Sequence, residues 1–242
     1  MKLKFIQTFI DIIRGKTSVV PAVCNFLGWE CAKRDKNIPY IRTFSQSGED
    51  AIVRTLFSWK NKYVKSYLDI GACCIKASNT YMFYNYGIRG VLVEANKDFI
   101  KDLKKYRPND NILNFAVTPD ENAEFVDFYE DTISSEEAKI RKQKLTARVE
   151  AKTINKIINE NFQDYPDLLS IDIEGVDLEV LKTLDFNKYP IPVIIVETVD
   201  YSENHIKNKI TEIPEYLNSK GYFSYADTYI NTIFVNKNWF YN

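Results

Sequence analysis

Short apolar runs alternate along the chain with stretches whose apolar residues recur every three or four positions. From about Ser45 onwards this alternation predicts βαβ units around a mainly parallel sheet. A helix is predicted over residues 48–59, with Ile52, Val53, Leu56 and Phe57 on one face. Residues 67–71 and 90–94 read as buried strands, separated by a helix over 79–86. A helix over 97–106 stops near Pro108 and leads to a third strand over 112–117. Residues 125–129 and 147–151 suggest short additional strands. A fourth main strand is expected over 168–173, followed by a helix that turns Val180, Leu181 and Leu184 to one side. A fifth is expected over 192–197. A helix over 207–220 contains Pro214, where a kink or break is expected. Residues 222–226 and 232–235 close the chain as an antiparallel pair.

The pattern places an acid at the end of four strands: Asp69, Glu94, Asp172 and Glu197. In an open parallel sheet the carboxyl ends of the strands border the ligand crevice, so these acids converge on one rim. The plainer reading is that each acid caps the helix after it. The loop after the first strand has one glycine, Gly71, followed by Ala72, Cys73, Cys74 and Ile75. It lacks the GxGxxG that lets a backbone approach a pyrophosphate, and no GxxxxGK[ST] occurs. A nicotinamide-dependent enzyme is therefore disfavoured. Carboxylates repel a phosphate and attract a cation. Glu94 lies twenty-three positions after Gly71, a spacing that suits an acid accepting hydrogen bonds from ribose hydroxyls.

The 242 residues suffice for one α/β domain, read as 44–242, preceded by a helical extension over 1–43. Hydrophobic residues at 45% and charged residues at 27% are ordinary for a globular chain. Lys and Arg number 32 against 33 Asp and Glu, so the basic surplus that nucleic-acid binding requires is absent. Cys24, Cys31, Cys73 and Cys74 have neither zinc spacing nor a disulfide pattern, which points to a reducing, cytoplasmic setting. Residues 1–16 carry an apolar face broken by Gln7, Thr8, Asp11 and Arg14, so they are neither a signal peptide nor a membrane span. They read as an amphipathic helix packed on its own domain. Lys2, Lys4, Arg14 and Lys16 keep peripheral membrane contact as the second reading. Self-association is left open.

Several motifs, in order, resemble FkbM-type methyltransferases: Ser45-Gln46-Ser47-Gly48-Glu49-Asp50, Asp69-Ile70-Gly71-Ala72, Ser78-Asn79-Thr80 and Val93-Glu94-Ala95-Asn96. Asn114-Phe115-Ala116-Val117, Leu169-Ser170-Ile171-Asp172-Ile173-Glu174-Gly175, Leu178-Glu179-Val180-Leu181 and Ile194-Ile195-Val196-Glu197 continue the series, which spans roughly residues 44–200. Cys73–Lys76 departs from the small or glycine-containing loop of many relatives. The resemblance implies a Rossmann-like class I methyltransferase fold, with helices on both faces of the sheet and a terminal antiparallel strand, that binds S-adenosylmethionine. It implies methyl transfer to a hydroxyl of a sugar, a polysaccharide precursor or a natural product; the alternative is a relative that keeps the fold as a non-catalytic binding or scaffold module. By position, Asp69, Gly71 and Ala72 face the cofactor's amino-acid part, Glu94 the ribose, and Asn114 and Ala116 the adenine, with Ala95 a further cofactor-binding position. Asn79 and Thr80 fix the loop or touch the cofactor. Gln46 and Glu49 close over it or cap the helix that follows.

A hydroxyl acceptor must lose a proton, so a base is expected. Asp172 and Glu174 follow the fourth strand and are the first candidates. Both reach the site only if the strand has ended by Ile173, because alternate strand residues face opposite ways. Together with Glu197 they also form a candidate set for a divalent cation; otherwise Glu174 is a first-turn acid on a helix dipole. His205 is the only histidine and a further candidate base, against the reading of a surface histidine. Tyr81, Tyr84, Tyr86 and Tyr201 are candidates to stack on a sugar ring.

Overall fold

Four-residue runs such as Tyr-Leu-Asp-Ile and Leu-Leu-Ser-Ile are too short and too apolar for helices, and both are buried along their whole length as strands. The computed structural model of the protein describes residues 42–73, 77–128, 147–173, 175–201 and 207–242. Glu174, His205 and the amphipathic segment 1–16 lie outside the described residues.

In chain order the elements are α1 (Glu49–Trp59), β1 (Tyr67–Ile70), α2 (Tyr81–Asn85), β2 (Val91–Val93), α3 (Lys97–Tyr106), β3 (Asn111–Leu113), β4 (Ala116–Val117), β5 (Phe125–Phe128) and β6 (Ala147–Lys152). They continue with α4 (Ile154–Asn161), β7 (Leu168–Ile171), α5 (Asp177–Thr183), β8 (Val193–Glu197), β9 (Val199–Tyr201), β10 (Lys207–Lys209), α6 (Glu212–Ser219), β11 (Tyr222–Asp227), β12 (Asn231–Asn236) and α7 (Lys237–Tyr241). The main sheet has seven strands in the order β3-β2-β1-β7-β8-β12-β11. The first five run parallel, and β12 is antiparallel to both β8 and β11. From β1 the chain winds outward through β2 and β3, then returns to β7 on the other side. The order therefore reverses between β1 and β7, where a doubly wound sheet opens its crevice. This is a Rossmann-like, doubly wound architecture with a terminal antiparallel pair.

Alternation along the strands fills two cores, one per sheet face. Leu68, Ile70, Val91, Val93, Leu169, Ile171, Ile194 and Val196 meet α4, α5 and α6 through Ile154, Ile157, Ile158, Val180, Leu181, Ile213 and Leu217. Tyr67, Leu92, Leu168, Val193, Ile195, Ile233 and Val235 meet α1, α2 and α3 through Val53, Leu56, Phe57, Phe83 and Leu103.

Two expectations need correction. Residues 112–117 are not one strand. The chain breaks at Asn114, whose Nδ2 donates to the carbonyls of Glu94 (2.9 Å) and Ala95 (3.0 Å). Beyond it, β4 leaves the main sheet to pair with β6 in a separate three-stranded sheet, β4-β6-β5. Residues 207–220 are not one helix either. β10 pairs with β9, and the helix starts only at Glu212. Pro214 then sits in the first turn, where its missing N–H would have had no partner, so it starts the helix instead of bending it.

Helix α4 was not anticipated, although Ile154, Ile157 and Ile158 have helical spacing and are fully buried. The Thr153 hydroxyl caps it by accepting from the Lys156 N–H. Thr153→Ala is expected to cost about 1 kcal/mol of stability, read as a lower urea midpoint at unchanged slope.

Candidate active site

The loop after β1 is fitted into the gap between the ends of β2 and β7. Both the Gly71 and Ala72 N–H groups donate to the Val93 carbonyl (2.9 and 3.2 Å), and the Asp172 N–H donates to the Ile70 carbonyl (3.0 Å). Gly71 has φ +78°, and a Cβ there would lie 1.8 Å from the Asp172 carbonyl oxygen. Only glycine allows this approach. Gly71→Ala is expected to cost about 1–3 kcal/mol as an overpacked site, checked by thermal unfolding.

The four strand-end acids meet on this rim, and none caps the following helix. The caps are Thr80, Asn96, Val176 and Thr211. Glu94 is buried. Its Oε2 accepts from the Cys73 N–H (2.9 Å) and its Oε1 from the Asn96 N–H (2.7 Å), which ties the β1 loop to the end of β2. Burial pushes its carboxyl above the ordinary range, and these backbone donors oppose the shift only in part. Each oxygen keeps a further lone pair for another donor.

Asp172 is exposed just past the end of β7. Partial desolvation by the rim, reinforced by the charges of Asp177, Asp69 and Glu94, pushes its carboxyl from 3.8 up to about 6, against a hydrogen bond shared with Glu197. These side chains therefore come from four separate strand ends and feel one another. Glu197 is buried at the end of β8, opposite Asn231 in register.

Asp69 is held from behind. Its carboxylate accepts from the Thr80 hydroxyl, and Arg107 Nη1 lies 3.6 Å from its Oδ2. Burial raises its pKa, while Arg107 and the hydroxyls of Thr80 and Ser170 pull it down. Arg107 is fully buried. Its Nε donates to Asp110 Oδ2 (2.7 Å) and its Nη1 to Thr80 Oγ1 (2.9 Å). Its guanidinium lies over the rings of Tyr67 (5.3 Å), Tyr84 (5.6 Å) and Tyr81 (6.0 Å). Asp110 also accepts from the Tyr67 hydroxyl (2.8 Å) and the Gly90 N–H (3.0 Å). Asn79 Nδ2 donates to Ser170 Oγ (3.2 Å), while its Oδ1 is buried without a partner, an acceptor left open beside the acids.

Sequence reasoning missed Arg107, which looks like an ordinary basic residue at a helix end. It also missed Asp177, whose two oxygens accept from the Ile173 and Gly175 N–H groups (both 3.1 Å) and shape the loop carrying Asp172. The recurrence of Asp five positions after Asp172 was the available signal. Asp50, in the Ser45–Asp50 motif, organises the turn before α1 by accepting from the N–H groups of Phe44 (2.7 Å) and Ala51 (2.7 Å).

Other candidates have different surroundings. Glu49 is buried, and its oxygens accept from Thr228 Oγ1 (2.6 Å), Asn231 Nδ2 (3.1 Å) and the Ser47 N–H (2.9 Å). Burial alone would raise its pKa, but these donors together hold it below the ordinary range. It ties the start of α1 to the β11–β12 turn. Gln46 is exposed in the preceding bend, and the adjacent Ser45 bridges to Ala77 beyond the β1 loop. Ala95 follows Glu94 at the edge, and Ala116 pairs with Ala151 in the smaller sheet. Tyr81 and Tyr84 stack on each other at 5.9 Å and flank Arg107, and Tyr86 lies under Arg54. Tyr81 and Tyr84 thus pack around a buried charge while staying partly exposed. Tyr201 ends β9. Among the described residues, no group of three or more His, Cys, Asp or Glu side chains is arranged to hold a metal ion. No helix there is long and apolar enough to cross a membrane.

Residues 69–224 match the family model described as the methyltransferase FkbM domain. No curated protein matches the chain. Solved structures with a similar fold include a precorrin-6y C5,15-methyltransferase from Geobacter metallireducens (14% identity, 83% of this chain, 94% of the other, TM-score 0.42). Streptomyces venezuelae DesVI is similar at 11% identity over 78% of this chain and 90% of its own, with TM-score 0.41. A methyltransferase from Thiobacillus denitrificans, solved with S-adenosyl-L-homocysteine, is similar at 12% identity over 77% of this chain and 68% of its own, with TM-score 0.36.

Proposed function

The chain belongs to the FkbM family of S-adenosylmethionine-dependent methyltransferases, and we propose that it transfers the methyl group to a hydroxyl of a sugar, a polysaccharide precursor or a natural product. The observation that carries this reading is the convergence of Asp69, Glu94, Asp172 and Glu197 from four strand ends onto one rim. The donor's features suit this set of groups: a ribose diol for Glu94, an ammonium for the open acceptor of Asn79, and no phosphate to be repelled by the acids. When bound, S-adenosylmethionine supplies an electrophilic methyl on a positively charged sulfur.

The chain's own residues supply position and a proton acceptor. Gly71 lets the β1 loop lie against the end of β7, and Glu94 fixes that loop through the Cys73 N–H. Asp172, raised to about 6, is a carboxylate at neutral pH and more basic than an ordinary aspartate. That suits it to take the proton from an acceptor hydroxyl. Glu197 shares a hydrogen bond with Asp172 and orients it.

The test is methyl transfer from labelled S-adenosylmethionine to a panel of monosaccharides, sugar nucleotides and hydroxylated natural products, with product mass as the readout. Label on oxygen supports the reading. Cofactor binding without transfer to any acceptor favours a scaffold instead.

A further inference from the structure

The edge of the sheet opposite the acids carries a different surface. The turn between α1 and β1 reads Trp59-Lys60-Asn61-Lys62-Tyr63-Val64-Lys65, with aromatic and basic residues interleaved. Trp59 (73%), Tyr63 (70%) and Tyr241 (74%) are the most exposed large hydrophobic side chains among the described residues. They belong to one surface, because the turn packs on α7. Lys60 Nζ donates to the Phe240 carbonyl (2.8 Å), Lys62 Nζ lies over the Trp239 ring (5.3 Å), and Trp239 packs on Phe57 (4.9 Å). Tyr241 packs on Phe240 (5.1 Å) and Phe223 (6.2 Å).

No acidic residue occurs within 51–66 or 228–242. Asp167 touches the turn, where it accepts from the backbone N–H groups of Lys65 (2.7 Å) and Ser66 (3.3 Å). Lys237 continues the basic surface to a neighbouring hollow of about 580 Å³, lined also by Lys220, Gly221, Asn238 and Asp185.

We propose that this aromatic and basic surface docks the protein on an anionic lipid bilayer. Trp and Tyr side chains favour the level of the headgroups, and lysines beside them are drawn to anionic lipid. The two edges of the sheet carry opposite charge, and this fixes the orientation. The acids at the carboxyl rim are repelled by the same lipid, so the crevice faces the water and stays open to an acceptor. A second copy fits the surface poorly, because a two-fold interface sets it against itself and lysine against lysine. The chain's formal net charge of −1 gives no general attraction to nucleic acid.

Flotation of the full chain with vesicles tests the proposal. The vesicles are phosphatidylcholine alone or mixed with phosphatidylglycerol. Binding to the mixed vesicles only, weakening with salt, is expected. The combined variant Lys60→Gln, Lys62→Gln, Lys65→Gln and the pair Trp59→Ser, Tyr63→Ser should each lower partitioning about tenfold or more. Thermal unfolding of the Trp59, Tyr63 pair should match the parent, that of the lysine variant should fall slightly because it loses the contacts of Lys60 with the Phe240 carbonyl and of Lys62 with the Trp239 ring, and the exposed Lys101→Gln should change nothing. Three results overturn the proposal: no binding to anionic vesicles, unchanged binding by both variants, or variants that alter sedimentation of the free protein and not its flotation. The second places any lipid contact elsewhere, residues 1–16 included; the third assigns the surface to a second copy.

Discussion

Asp172→Asn is expected to lower kcat about 10²–10⁴-fold, the usual contribution of a positioned base, while cofactor affinity changes little. The substitution keeps the shape and removes the proton acceptor. The parent's kcat/KM should climb with pH, tenfold per unit, and level off above about 6, where the Asp172 carboxyl has lost its proton. The Asn variant should lack that limb. The effect on stability has the opposite sign. A carboxyl raised from 3.8 to about 6 by folding favours the folded state when protonated. That contribution is fully present below about pH 4 and is lost as the pH rises through 6. Asp172→Asn should therefore be slightly more stable than the parent at neutral pH while being far slower. A variant with parental kcat and an unchanged pH profile removes Asp172 as the base.

Arg107→Met is expected to cost about 3–5 kcal/mol of stability, the usual result of stripping one partner from a buried ion pair. Arg107 is fully buried and is the cation nearest to both Asp69 and Asp110. Its removal leaves two buried carboxylates facing each other with only hydroxyl and amide donors. Arg107→Met combined with Asp110→Asn should recover part of the loss, because one orphaned charge is gone. Denaturant midpoints of the parent, both single variants and the double variant give the coupling directly. Equal stability of Arg107→Met and the parent would mean that the guanidinium is not what keeps the acids together.

These two residues also mark how far the sequence can be read. Asp172 was legible because it ends an apolar run, and the ends of buried parallel strands must share a rim whatever the loops do. Asp69 was legible as a rim residue but not as half of an ion pair, since Arg107 follows a helix three elements later and nothing local links them. Glu49 has the same history: it lies in the opening motif, but its partners Thr228 and Asn231 come from the last hairpin. Helix α4 carried a local signal in the spacing of Ile154, Ile157 and Ile158, but the two misread elements were non-local. Residues 112–117 keep an apolar pattern across Asn114, and only the carbonyls of Glu94 and Ala95 show why the chain turns there. Pro214 marks a helix boundary correctly, but whether it ends or begins the helix depends on β10 having a partner in β9.

The acids also explain why a buried arginine is needed. Burial raises the carboxyls of Asp69, Glu94 and Asp172, the charge of Asp69 adds to the shift at Glu94, and Asp177, Asp69 and Glu94 add to it at Asp172, so the rim is costly without positive charge nearby. Arg107 supplies it only at Asp69; a cationic ligand supplies it in front. Ligand affinity and pH are therefore coupled: binding a cation should lower the Asp172 pKa and move the activity limb of the loaded protein below that of the free one.

Calorimetric titration of the protein and of Glu94→Ala with S-adenosylmethionine, with NAD as the phosphate-bearing control, tests the acidic cleft most directly. The expected result is saturable binding of S-adenosylmethionine, weakened at least about tenfold in Glu94→Ala by loss of a charged hydrogen-bond acceptor, and no heat from NAD. Saturable binding of NAD, or S-adenosylmethionine binding that Glu94→Ala leaves untouched, would contradict it.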